Sequence, residues 1–239
     1  MMKTELRRDL VLLDFAYFID SEDQNPAVLD VFVTVGEKGD SDPPAGMAAV
    51  YIGSAGGGGD ECNAAELPCG RLQGVIINPD TTPLAIMTVS ADGKIFKSTD
   101  LGKHWDKVAD EPAESYAGVA CRNGVYVAAG RRGTIAILKT SEDGGDTWEE
   151  KLAADAGGST FLRVKCLNGK FIAVGSRGLI YTSDDNGRSW ERRMSGVAAD
   201  IFDIATSCDG KYIAVGTQQR NHIYLSSSDG IAWNAEMFT

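Results

Sequence analysis

The sequence predicts an all-β chain, a β-propeller of four-stranded antiparallel blades. Three observations carry the prediction. The four tryptophans, Trp105, Trp148, Trp190 and Trp233, recur at gaps of 43, 42 and 43 residues, a period in the range of propeller blades. Each closes a short polar box, "STDLGKHW" (98–105), "SEDGGDTW" (141–148), "SDDNGRSW" (183–190) and the shorter "SSDGIAW" (227–233). Upstream, "CRNGVYVAAG" (121–130), "CLNGKFIAVG" (166–175) and "CDGKYIAVG" (208–216) align with one another. In each, Asn-Gly or Asp-Gly precedes a run of β-formers that ends in glycine, a strong hairpin signal because both turn residues need positive φ.

In chain order, residues 1–70 come first. They hold four Lys/Arg against thirteen Asp/Glu and so most of the net charge of −11. "LVLLDFAYFI", "VLDVFVTVG" and "MAAVYIGSAG" read as three strands, so this acidic segment is expected to be a degenerate fifth blade or a docking arm. "SAGGGGDE" (54–61) lacks the Lys-Ser/Thr of a phosphate loop and reads as a flexible linker.

Residues 71–239 are expected to form four blades, at about 71–110, 114–153, 159–196 and 199–239. Each holds four short runs rich in Val, Ile, Phe and Tyr. In the third repeat these are "FLRVKCL", "KFIAVG", "LIYTS" and "SWERRM". A period of about 43 residues fits four strands per blade. The last outer strand is drawn from the residues after Trp233.

The boxes resemble the Asp-box, or bacterial neuraminidase, repeats of sialidase-like β-propellers. The resemblance covers residues 71–239, and four copies in register make it specific. It implies that each box sits on the hairpin between the third and fourth strands, that its aspartate caps the turn amides, and that its tryptophan packs between blades. The implied structural residues are Ser98, Asp100, Gly102 and Trp105; Ser141, Asp143, Gly145 and Trp148; Ser183, Asp185, Gly187 and Trp190; and Ser227, Asp229, Gly230 and Trp233. No box supplies the alternating oxygen ligands and terminal bidentate acid of a calcium loop, so no metal is expected. Sialidase activity is not expected either, because the family's Arg-Ile-Pro stretch is missing. The reading is a non-enzyme without cofactors.

Other reactive residues are few. Cys121, Cys166 and Cys208 recur at gaps of 45 and 42 and read as small buried hydrophobes, while Cys62 and Cys69 are close enough in sequence to pair. His104 lies in a box and His222 is read as a loop residue. No triad follows from two histidines with no nucleophile placed beside them. One constellation has binding chemistry: Arg131, Arg132, Arg177 and Arg220 recur between the second and third strands of successive blades. Those loops rim the end opposite the boxes, where guanidinium forks can grip carboxylates. Solvated turn residues are the plainer account of them.

Acidity argues against nucleic-acid binding. No apolar run approaches a membrane span, and no signal peptide is visible. The expected role is a structural or interaction module with protein partners in an oligomeric assembly. Small repeat proteins of bacteriophage tails and virions are similar, which implies cytoplasmic synthesis, incorporation into a virion and host attachment. The alternatives are a module that binds surface glycans and an assembly factor similar to the photosystem II assembly propellers.

Overall fold

The sheets follow the turn chemistry. In the computed structural model, which describes residues 10–18, 29–38, 46–54, 61–78, 80–155 and 157–238, there are five four-stranded antiparallel sheets. Each is wound up and down in chain order. This is the all-β architecture of a β-propeller built from four-stranded antiparallel blades. It divides into two compact units, Met1–Pro112 and Ala113–Thr239.

The first unit holds two sheets. One contains β1 (Leu10–Phe18), β2 (Leu29–Lys38), β3 (Gly46–Ser54) and β4 (Glu61–Leu67); the other contains β5 (Leu72–Asn78), β6 (Ala85–Ser90), β7 (Lys94–Ser98) and β8 (Asp106–Asp110). Three strands were expected before residue 70. The fourth, β4, is the run "ECNAAEL", which is poor in β-branched residues and carries no strand signal of its own. Val35 and Ala48 pack into a core with Leu72, Val75, Ile77, Ile86 and Phe96. The Gly-rich run read as a linker falls at 55–60, outside the described residues, as does the side chain of Cys62.

The second unit holds three sheets. They are β9 (Glu114–Arg122), β10 (Val125–Arg132), β11 (Ile135–Ser141) and β12 (Glu149–Ala154); β13 (Phe161–Leu167), β14 (Lys170–Gly175), β15 (Leu179–Ser183) and β16 (Glu191–Met194); and β17 (Asp200–Thr206), β18 (Tyr212–Gln218), β19 (Asn221–Ser227) and β20 (Asn234–Phe238). Alternation along each second strand splits the side chains between two faces. On β14, Phe171 and Ala173 face the core shared with Val127, Ala129 and Leu138. Ile172 and Val174 face the core shared with Ile201, Tyr212 and Ala214. Both sets are fully buried, which is why "KFIAVG" reads as continuously apolar.

The glycine at or near the end of each second strand of this unit has a steric cause. A Cβ on Gly130, Gly175 or Gly216 would collide with the backbone carbonyl of Ser115, Thr160 or Asp200 at the start of the first strand. The first strand bulges at that point, between Phe161 and Arg163 and between Ile201 and Asp203. The Asn-Gly turns are two-residue links with positive φ at both positions, as at Asn123 and Gly124 or Asn168 and Gly169.

Candidate functional site

The four boxes repeat one hydrogen-bond pattern on the hairpin between third and fourth strands. The buried serines Ser98, Ser141, Ser183 and Ser227 donate to Oδ1 of Asp100, Asp143, Asp185 and Asp229 at 2.7–3.0 Å. The same hydroxyls accept from the amides of Gly102, Gly145, Gly187 and Gly230. Oδ1 also accepts a turn amide, from His104, Thr147 and Ser189 at 2.9 Å each. In the shorter fourth box the amides of Ile231 and Ala232 serve instead. Oδ2 takes the side chains of His104, Thr147 and Ser189 at 2.5–2.6 Å. In the first three boxes donors of the same turn engage both carboxylate oxygens, which leaves little capacity for a metal or substrate, and in the fourth they engage Oδ1.

The pKa values follow. The amide of His104 and the side chains of His104 and Ser98 hold Asp100 down at about 2. Partial burial opposes ionisation of Asp185, and the Ser189 hydroxyl and amide outweigh it, again to about 2. Asp143 is lowered further by the Thr147 hydroxyl and amide, and Asp229 is lowered by the amides of Ile231 and Ala232. Asp100 is therefore ionised at neutral pH and can only accept, so Nδ1 of His104 carries the proton of their bond. A depressed carboxyl pKa contributes stability above the unfolded value near 3.9 and loses it as pH falls through the folded value. Thermal melts should accordingly fall between about pH 4 and 2, and Asp143→Asn should flatten that fall; identical acid profiles for the two proteins would contradict the role given to the carboxylate.

Three box tryptophans, Trp105, Trp148 and Trp233, donate Nε1–H to the carbonyl of their own box glycine at 3.2–3.3 Å. The third box differs. The carbonyl of Gly187 accepts from Thr140 Oγ1 at 2.9 Å, and Trp190 Nε1 is buried without a partner among the described residues. Thr140 belongs to the preceding sheet, so this bond joins the two blades. The ion pair of Arg188 with Glu142 and the bond from Arg122 to Asn186 Oδ1 at 3.2 Å do the same. Trp190 packs against the core those sheets share.

The arginines stand at the other end of the sheets, since an antiparallel strand carries the chain away from the box hairpin. Arg131 and Arg132 end strand β10 rather than lying in a loop. Arg131 is exposed. Arg132 is engaged by Glu150 at 2.7 Å and by Glu114 at 3.3 Å. Arg177 sits in the 3-10 turn Ser176–Gly178 at φ 56, and its Nη1 donates to the carbonyl of Gly157 at 2.5 Å. Arg220 is exposed in the two-residue turn between β18 and β19. The equivalent turn of the second sheet of the first unit holds Asp92, bound to Lys94. Among the described residues the candidate rim thus has two guanidiniums without a partner, Arg131 and Arg220, one tethered to backbone and one held by two carboxylates.

Beneath the rim lies a cluster missed in the sequence. Glu114, with its side chain 3% exposed, meets Lys139 at 2.9 Å, accepts from the Tyr116 hydroxyl and reaches Arg132. The available signal was Lys139, which interrupts an apolar column filled by Tyr181 and Leu225 in the following repeats.

Several expectations are corrected. Cys208 is exposed in a turn, and Cys121 and Cys166 are only partly buried. Cys208 follows β17 instead of ending it, because β17 and β18 are joined by a five-residue turn, 207–211, closed by the Ser207 amide on the Lys211 carbonyl at 2.8 Å, rather than by a two-residue link. Cys69 is a buried thiol, pushed up to about 12 by that burial. His222 is on strand β19. Among the described residues no helix is long and apolar enough to cross a membrane, and no group of three His, Cys, Asp or Glu is placed to hold a metal.

A family described as photosynthesis system II assembly factor YCF48 matches residues 133–236. The photosystem II assembly lipoprotein Ycf48 of Synechococcus sp. (strain CC9902) is 27% identical over 141 residues, 56% of this chain and 41% of that protein. The chain thus spans less than half the length of that curated relative. YCF48 from Cyanidioschyzon merolae is similar with a TM-score of 0.55 and 19% identity, over 70% of this chain and 56% of that one. YCF48 bound to D1 peptide is similar with a TM-score of 0.60 and 14% identity, over 96% and 69%. The repeat propeller is therefore shown. The reading as a bacteriophage virion component with a host-attachment role is overturned, since these relatives are photosystem II assembly proteins. Its localisation falls with it, because the curated relative is a lipoprotein rather than a virion protein.

Proposed function

We propose that this chain is a non-catalytic binding propeller that holds a segment of a partner protein during assembly of a larger complex, in the manner its photosystem II relatives are named for. The observation that carries the reading is the family match over 133–236. That stretch contains Arg177, Arg220 and three of the four boxes. The boxes spend their polar groups on their own turns, so the rim is left as the surface with binding chemistry. Exposed Arg131 and Arg220 suit a peptide segment carrying carboxylates, with Arg177 fixed between them in chain order. The peptide held by one similar structure is the first candidate. A surface glycan gains no support from these relatives.

The test is a fluorescence anisotropy titration of a labelled D1 peptide. Saturable binding is expected, and Arg131→Ala/Arg220→Ala should weaken it about tenfold or more, since a hydrogen bond to a charged group is worth roughly 1.5–3 kcal/mol. Both residues are exposed, so the circular dichroism of the variant should match the parent. Equal affinity of variant and parent would remove the rim from the account.

A further inference from the structure

The chain contains three Asn-Gly pairs, Asn123-Gly124, Asn168-Gly169 and Asn186-Gly187. Asn-Gly is the pair most open to spontaneous deamidation, because no side chain shields the glycine nitrogen. The structure treats the three differently. At the third pair, the amide nitrogen of Gly187 donates to Ser183 Oγ at 2.8 Å, and Oδ1 of Asn186 accepts from Arg122 at 3.2 Å. Gly187 is also packed, as a Cβ there would lie 2.9 Å from Val127 Cγ2. At the second pair, Nδ2 of Asn168 donates to the carbonyl of Gly210 at 2.8 Å, and the Arg122 guanidinium covers Gly169. At the first pair, Asn123 is exposed and no hydrogen bond holds its side chain among the described residues. A Cβ on Gly124 would meet nothing within 4 Å. The ladder closes outside the turn, at Arg122 and Val125, so opening the tip disturbs little else.

From this arrangement we infer that Asn123 is a modification site, converted to aspartate and isoaspartate without an enzyme. The nitrogen of Gly124 attacks Cγ of Asn123. The new N–Cγ bond forms as the Cγ–Nδ2 bond breaks, and Nδ2 takes up the one proton that the Gly124 amide gives up and departs as ammonia. Water then opens the five-membered imide at either carbonyl, and its atoms stay in the product. The site gains a carboxylate next to Arg122, whose guanidinium reaches across to Asn186 and Gly169. The modification therefore places a competitor beside a contact that joins two blades.

The test incubates the intact folded protein at mildly alkaline pH and follows the three asparagines by peptide-resolved mass spectrometry. A parallel sample is kept in denaturant. In the folded protein Asn123 should deamidate about fivefold faster than Asn168, one net hydrogen bond's worth, and faster again than Asn186. In denaturant the three rates should converge. Asn168 or Asn186 keeping pace with Asn123 in the folded sample would overturn the inference, as would an intact Asn123 in the folded protein while the denatured chain reacts.

Discussion

Glu114→Ala is expected to cost about 3–5 kcal/mol of folding stability, because it takes a carboxylate partner from a buried lysine. Lys139 has a side chain 9% exposed, and its Nζ lies 2.9 Å from Glu114 Oε2. The same substitution removes the bond from the Tyr116 hydroxyl to Glu114 and deprives Arg132 of one of its two carboxylates. The double variant Glu114→Ala/Lys139→Met should recover most of the loss, since a buried pair replaced by apolar groups is often neutral. Urea denaturation of the parent, both single variants and the double variant closes the cycle. A double variant as unstable as the sum of the singles would show that the two groups do not act as a pair.

Phe171→Ala should be comparably damaging, at about 3–5 kcal/mol. Phe171 is fully buried, and its ring lies 6.5 Å from that of Trp190. It sits in the core that the β9–β12 and β13–β16 sheets share, so its removal empties space at a blade interface rather than within one sheet. Phe171→Leu keeps most of the volume and should cost under about 1.5 kcal/mol. At roughly 2–4 °C per kcal/mol for a chain of this size, the alanine variant should melt about 6–20 °C lower. A shift no larger than that of the leucine variant would contradict the packing described.

What was legible in the sequence was whatever local chemistry determines. Each Asn-Gly and Asp-Gly turn needs positive φ, and each box needs its serine and aspartate on one turn, so the strands of the third repeat fall within a few residues of their expected places. What escaped depends on contacts across strands and between blades. Glu114, Lys139 and Arg132 meet across three strands, and Thr140 reaches Gly187 from 47 residues away. No periodicity announces such contacts. Strand β4 escaped for the opposite reason: its residues carry little β propensity, and pairing with β3 alone holds it in the sheet. The arginines were visible as a recurring column, but their states were not. Only coordinates distinguish Arg132, clamped by two carboxylates, from exposed Arg220.

The division between the two ends of the blades is the central claim: boxes fasten the fold, and the rim binds. Hydrogen–deuterium exchange with and without saturating D1 peptide tests it most directly. The account predicts new protection at 131–134, 176–178 and 219–221, with the box hairpins at 141–148, 183–190 and 227–233 unchanged. Protection confined to the box hairpins, or none at any of these segments, would contradict it.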